Sequence, residues 1–541
     1  SGSRTASGRP ILANDPHLPP SLPAPWYLLH IRTPEWSVAG ASLVGTPGVS
    51  AGHNGHGAWG ITAGLIDNTD LFIEELGPDG ASVRSADGFE PCEIREEIIE
   101  VKGGKAIEEK VLVTPRGPLI SPAVEGESRA ISLRAVWLDP APIGGTLLVH
   151  KAKTFSEFRD SFRNWPALSL NVVWGDSSGS IGWQLAGDAP RRGAGNGSFP
   201  LPAWSEGGGW KEGRVPYEDM PFLDDPSEGF IATANNPPRS VSGGAFLGVD
   251  FIDSYRFLRI REVLASRSDW DMASTGALQG DVESLPWREL KDHFLAALEG
   301  DSRLEIAARL LRGWDGRVAA DSAAAAVYEF LLAALCRRVA RARAPRSADF
   351  VLGRGFTGIS PNGVMVVRRV SHLIELLRQR PPGWFKGSWD EEIAAAAREA
   401  LEEIEERCGA DPAGWSWGGL HALVLPHPVG EKKILAPIFN RGPYPLGGDT
   451  NTVMQAGVDP LHPDASPRFI PSVRFIVDVG EWDNSRFVLP GGQSGNPLSR
   501  HYDDQLPCWL RGEGFPIAWS DEAVDAAAVD TLRLSPGAAE G

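Results

Sequence analysis

The chain is 541 residues long with 42% hydrophobic and 23% charged residues, ample for a large core and ordinary for a globular body. A formal net charge of −18 repels phosphate backbones and anionic lipid, so neither nucleic acid nor a membrane is expected as a partner. No run of about eighteen apolar residues is present to span a bilayer, and the sequence reads as soluble.

From residue 1 to about 240 the chain consists of short β runs punctuated by Gly, Pro and Asn/Asp, among them "WSVAGASLVGTPGVSAGHNGHGAWGITAG", "EIREEIIEV" and "EKVLVTPRGPLI". In "SLNVVWGDSSGSIGWQLAG" the "DSSG" between two alternating runs predicts a hairpin. Nineteen tryptophans against four methionines fit a strand-rich body with large aromatic fillers. Helical spacing then takes over at 256–265, 287–299, 304–314, 323–341 and 391–408, each with apolar residues at i, i+3, i+4 and a charged face. Pro286 suits a first helical position. From about Trp415 the β character returns, alternating at 473–479 and 486–489, and the chain ends in a tail expected to fray. These runs predict one α+β body: a β-rich core over 1–255, a mainly helical lobe over 256–410, and a returning β segment over 411–541 of the same core.

Cys92, Cys336, Cys408 and Cys508 are far apart without CxxC spacing and leave the redox compartment open. The N-terminus has neither a basic nor an apolar leader region, so no signal peptide is expected on this chain. Three histidine clusters raise a zinc site: His53 with His56, His421 with His427, and His501. No HExxH occurs and each histidine sits in a Gly- or Pro-rich turn, so structural histidines are the better account. "GGQSGNP" around Ser494 is only loosely like a nucleophile elbow, because no apolar helix follows it. Abundant tryptophan and strand carboxylates raise a glycosidase, an argument from composition alone.

A more specific signal is an ordered set: "PILANDPHL" (10–18), "GHNGHGAWGITAGLIDNTDLFIEEL" (52–76), "GSIGWQLAGDAPRR" (179–192), "GFIATANNPP" (229–238), "YRFLRI" (255–260) and "LPGGQSGNPLSRHYDDQ" (489–505). Together these motifs resemble the penicillin acylase family of N-terminal nucleophile hydrolases. The resemblance implies the four-layer αββα sandwich of that type with a helical insertion, and hydrolysis of a linear amide of a small molecule such as a β-lactam antibiotic or an N-acyl homoserine lactone. It further implies autocatalytic cleavage of a precursor into an α subunit and a β subunit, of which this chain resembles the second, and export to the periplasm or medium. The family's nucleophile opens the β subunit in a pattern like S-N-x-W-V. Ser1 aligns several residues later, so the nucleophile is expected upstream of this chain, with Ser1 as the second candidate.

The physical case for such chemistry is that the α-amine of an N-terminal serine, with an ordinary pKa near 8, serves as the base for its own hydroxyl. The oxyanion then needs two donors, each worth about 3 kcal/mol in a dry site. The motif match implies the backbone N–H of Ala63 in "ITAG" and the amide of Asn235 in "TANN" for this role; the alternatives are close strand packing and a turn-capping amide. His17 in "NDPHL" matches a position beside the nucleophile and would orient it. Arg256 in "YRFLRI" matches a site arginine, against the alternative of a surface ion pair. "DNTD" resembles the family's structural calcium segment, with Asp67, the Thr69 carbonyl and Asp70 as ligands and Asp250 as a distant one; the alternative is an Asx turn without metal. Beside the acylase stand two other expectations, a binding-only relative without its nucleophile and a glycosidase.

Overall fold

The computed structural model describes residues 1–121, 129–141, 145–165, 168–205, 209–238, 246–356, 360–362 and 370–534. Strands β1 (Ile11–Asn14), β2 (Trp26–Arg32), β3 (Ser37–Leu43), β4 (Ala51–His53), β5 (Gly57–Ala63) and β6 (Thr69–Glu74) come first. They are followed by β7 (Ala130–Ala135), β8 (Leu170–Asp176), β9 (Ile181–Ala186), β10 (Leu201–Pro202) and β11 (Phe222–Asp224), and near the C-terminus by β12 (Arg474–Asp478), β13 (Arg486–Val488) and β14 (Phe515–Pro516). The predicted hairpin is β8–β9, with Leu170 opposite Ala186 and Gly175 opposite Ile181. Its turn is tied by the Asp176 carboxylate, which accepts the N–H groups of Ser178 (3.0 Å) and Ser180 (3.2 Å).

Two sheets carry the core. A seven-stranded antiparallel sheet runs β11-β9-β8-β5-β4-β3-β2, and a four-stranded one runs β1-β12-β13-β14. The second joins the first strand of the chain to a strand more than four hundred residues later, Ile11 opposite Asp478 and Asn14 opposite Phe475. Between the sheets lies one apolar cluster: Trp26, Ala41, Ala51 and Ala58 from the large sheet meet Leu12, Phe475, Val477 and Phe487 from the small one. The alanines keep that face low enough for the aromatic side chains opposite.

Strand alternation sends the neighbouring residues the other way. Trp59 and Trp174, paired across β5 and β8 and stacked at 6.5 Å, face outward with Val38 and Val172. There they meet Phe155, Phe158 and Phe162 around helix α1 (Phe155–Ser161). Burying aromatic side chains of this size contributes roughly 2–3 kcal/mol each.

Helices α2 (Tyr255–Ala265), α3 (Met272–Gln279), α4 (Leu285–Leu298), α5 (Glu305–Arg312), α6 (Ala323–Arg343), α7 (Val370–Gln379) and α8 (Trp389–Cys408) follow. The five predicted helices correspond to α2, α4, α5, α6 and α8 with ends shifted by a few residues. Ser284 caps α4, so Pro286 is its second residue rather than its first. The reading omitted α3 and α7. The first has a small, polar sequence, "MASTGALQ", held at its start by a capping box between Asp271 and Ser274. It rests on β1 and β12, with Gly276 facing Ile476. The other helices share a separate cluster built on Trp287, Phe294, Tyr328, Phe330, Trp389 and Ile393. Among the described residues no helix is long and apolar enough to cross a membrane.

Candidate active site

Ala63 is the last residue of β5, and its exposure follows from strand geometry. The Gly64 N–H donates to the Ser169 carbonyl at 2.8 Å. By antiparallel alternation Ala63 therefore turns both its N–H and its C=O away from β8. On that side β4 reaches only as far as Trp59 and Ala58, leaving the end of β5 as an open edge. Asn14 of β1 covers part of it: its side chain accepts the Ile61 N–H and donates to the Ile61 carbonyl, both at 3.0 Å. One residue pair further on, Ala63 is open to solvent.

Asn235 fills that opening from a loop. Its backbone is left-handed, φ 62°, a conformation costing a non-glycine residue about 1 kcal/mol that Asn tolerates best. Tertiary bonds hold it there. The Asn235 Nδ2 donates to the Ala63 carbonyl at 2.8 Å, its Oδ1 accepts Nη2 of Arg256 at 2.8 Å, and its carbonyl accepts the Ile252 N–H at 3.0 Å. Because a guanidinium only donates, Arg256 fixes which end of the amide is oxygen and turns Nδ2 toward Ala63. The amide nitrogen has a second hydrogen, so it and the Ala63 N–H form two donors on one open edge, the arrangement an oxyanion requires.

Arg256 is 3% exposed, which rules out the surface ion pair. It also donates to the Ala234 carbonyl (3.1 Å) and to Nδ1 of His17 (3.2 Å). Burial lowers it to about 10, with Asp15 opposing, so it stays charged near neutrality. His17, on the short strand His17–Leu18 paired with Ile470–Pro471, must then carry its proton on Nε2, which points toward Asp15 at 3.7 Å. Burial pulls His17 below its ordinary value, again against Asp15, and keeps it neutral. Asp15 also faces Arg474, a second buried guanidinium lowered by burial. Its place in "NDPHL" beside His17 was the available signal for this carboxylate.

Ser1 lies apart from these groups. Its amine donates to the Gly229 carbonyl at 2.9 Å, and its hydroxyl lies 3.0 Å from the same oxygen and 2.8 Å from the Ser3 hydroxyl. Burial, followed by Arg4, lowers its amine to about 6. From Ser1 a cavity of about 210 Å³ runs between Gly229–Thr233 and the strand residues Asn14, Ile61, Thr62 and Asn171. Two of its lining residues, Thr62 and Thr233, share a hydrogen bond of 2.9 Å and stand one residue from Ala63 and two from Asn235.

"DNTD" lies just beyond. Arg192 bridges its two aspartates: Nη2 is 3.1 Å from Asp67 Oδ2 and 3.0 Å from Asp70 Oδ1, and Nε is 2.9 Å from Asp70 Oδ2. Nη2 also donates to the Asp67 carbonyl at 3.0 Å, and the Trp210 indole donates to Asp70 Oδ2 at 2.5 Å. Burial pushes the Asp67 carboxyl up and Arg192 opposes it, with Asp70 and Asp250 adding like charge. Calcium takes six to eight oxygens, and here both Asp70 carboxylate oxygens and the Asp67 carbonyl already accept N–H groups, while the Asp67 carboxylate is paired with Arg192. The residues present do not fit the ion. Arg192 closes the motif "GSIGWQLAGDAPRR", but nothing local in that sequence says that it reaches Asp70, 122 positions earlier.

Among the described residues no three His, Cys, Asp or Glu side chains come together as a metal site. His53 stacks on Trp482 at 4.7 Å and His421 on Trp417 at 4.5 Å, both fully buried. Ser494 serves a turn, accepting the Asn496 N–H at 3.1 Å.

The model of the penicillin amidase family matches residues 1–526. The chain is 33% identical over 542 residues to the penicillin acylase 2 proenzyme of Pseudomonas sp. (strain SE83), covering 98% of this chain and 68% of that protein. It is 30% identical over 577 residues to the acyl-homoserine lactone acylase QuiP of Pseudomonas aeruginosa, covering 96% of this chain and 66% of that protein. The fold is similar to that of a thermostable penicillin G acylase from Alcaligenes faecalis, with a TM-score of 0.75 at 20% identity over 99% of this chain and 98% of that one. The chain spans about two thirds of the length of the curated relatives it matches.

Proposed function

Because the chain belongs to the penicillin amidase family, we propose that it is the β subunit of an acylase, cleaving the linear amide of a small molecule through an N-terminal serine. The observation that carries this reading is the pair of donors at the open end of β5: Asn235 held by Arg256, and Ala63 turned out of the sheet. The serine hydroxyl attacks the amide carbon, its proton passing to the α-amine and on to the leaving amine. The oxyanion formed at the carbonyl oxygen lies against Ala63 N–H and Asn235 Nδ2–H. Water then attacks the acyl-serine ester, returning the proton to the serine oxygen and releasing the acid.

In this reading the nucleophile precedes Ser1 in the precursor and its strand lies along the cavity that leads from Ser1 to Thr62 and Thr233. The hydrogen bonds from Ser1 to Gly229 favour that register over Ser1 itself. His17 acts through Arg256, because its Nδ1 lone pair is already engaged. The packing of α1, the large sheet, the small sheet and α3 on one another supports an αββα sandwich. An α subunit from the same precursor is the expected partner, and export is the expected fate. The substrate class follows the relatives' names, a penicillin or an N-acyl homoserine lactone.

The test is to express the natural reading frame, sequence the N-termini of the mature protein, and assay a panel of penicillins and acyl-homoserine lactones. A β chain opening on a serine upstream of Ser1, with amide turnover lost when that serine becomes alanine, is the expected result. Turnover from a mature chain opening at Ser1 makes Ser1 the nucleophile, and no turnover on any acyl amide favours a binding-only relative.

A further inference from the structure

The acidic pair beside the oxyanion edge poses a charge problem that the fold has to answer. Asp67 and Asp70 sit three residues apart at the start of β6, Asp70 is buried, and Asp250 adds a third carboxylate to the field at Asp67. Carboxylates taken out of water need a cation or hydrogen-bond donors. Arg192 provides both: its side chain is 6% exposed, it contacts both carboxylates, and it donates to the Asp67 carbonyl as well.

Little room is left around it. A Cβ on Gly197 would lie 2.4 Å from Asp70 Oδ1 and 2.8 Å from Asp67 Oδ2, so that glycine's backbone covers the pair directly. On the other side a Cβ on Gly248 would lie 2.6 Å from the Asp67 Cβ. The void left beside Asp70, Arg192 and Gly197 is about 10 Å³, room for one water at most. An incoming calcium ion would have to displace the guanidinium, which also lies over the face of Phe246 at 5.8 Å.

We propose that Arg192 is the resident counter-cation of this acidic site, so that the loop following the oxyanion edge is held by an ion pair internal to the chain and takes no calcium. The guanidinium reaches from the segment after β9 to the segment after β5 and locks the two together. The inference is independent of the reaction assigned above, because it concerns what holds the loop and not what the site cleaves.

The experiment uses the full protein expressed from its natural reading frame, with calcium content measured by mass spectrometry and melting followed in millimolar CaCl2 and in EGTA. Wild type should carry no stoichiometric calcium and melt at the same temperature in both. Arg192→Gln removes the cation and leaves the acidic pair, so its Tm should drop by several degrees in EGTA and recover in CaCl2, and the recovery should vanish when Asp70→Asn is added. One equivalent of calcium in wild type, or a wild-type Tm that falls in EGTA, overturns the proposal. An Arg192→Gln protein as stable as wild type in EGTA overturns it as well. Should that variant fail to fold, the wild-type measurements decide alone.

Discussion

Asn235 joins an unfavourable backbone to a side chain held at both its oxygen and its nitrogen. In the proposed reaction Asn235→Ala removes one of the two oxyanion donors, and kcat on the best acyl amide should fall about 10²–10³-fold while circular dichroism stays as in wild type. Arg256→Lys keeps a charge but cannot reach Ala234, Asn235 and His17 together. We expect at least a tenfold loss in kcat with KM changed less, read from initial rates over a substrate series. A substitution equal to wild type would remove Arg256 from the machinery. Ala63, Asn235, His17 and Arg256 were all legible as residues of a motif. Their joint geometry was not, because the Arg256–Asn235 bond spans 21 positions and the His17–Arg256 bond spans 239.

At the scale of elements, β1 and β5 are stitched by one side chain. Asn14 is 5% exposed and satisfies both backbone groups of Ile61, and Gly60 beside it has no room for a Cβ, which would lie 2.8 Å from the Asn14 Cβ. Asn14→Ala strands a donor and an acceptor, and chemical denaturation should show a loss of about 2 kcal/mol or more. A loss under half of that would mean water replaces the amide freely. Strongly patterned elements were readable in advance: the β8–β9 hairpin, the alternation of β12 and β13, and the long helices α6 and α8. Helices α3 and α7 were not, although α7 has an apolar stripe through Val370, Leu373, Ile374 and Leu377. α3 owes its place to a cap and to packing on β12, and its own sequence has no strong apolar stripe.

The whole molecule should be sensitive to acid through histidines it buries neutral. Burial lowers His53 to about 3, and His150 and His421 to about 4. His150 Nε2 accepts the Val49 N–H at 3.0 Å, a bond that protonation would abolish. Between about 6.5 and these values the unfolded chain binds protons that the native state refuses, so stability rises with pH across that window and is lost as pH falls through it. Thermal melts from pH 7 down to 4 should show Tm dropping steadily, and His53→Phe, which keeps the stack on Trp482, should flatten the slope. A Tm independent of pH there would show the buried rings protonated in the native state.

Local sequence determined the elements with strong period, the punctuation between them, and the motif residues that identify the family, because those signals lie in neighbouring positions and in order along the chain. It also located the acidic pair of "DNTD". What neutralises that pair was decided only by the tertiary structure. Arg192 and Asp70 are far apart in the chain, and a guanidinium and a calcium ion answer the same electrostatic need. The open edge at Ala63 was likewise set by where β4 stops, a matter of register between strands that no single strand encodes.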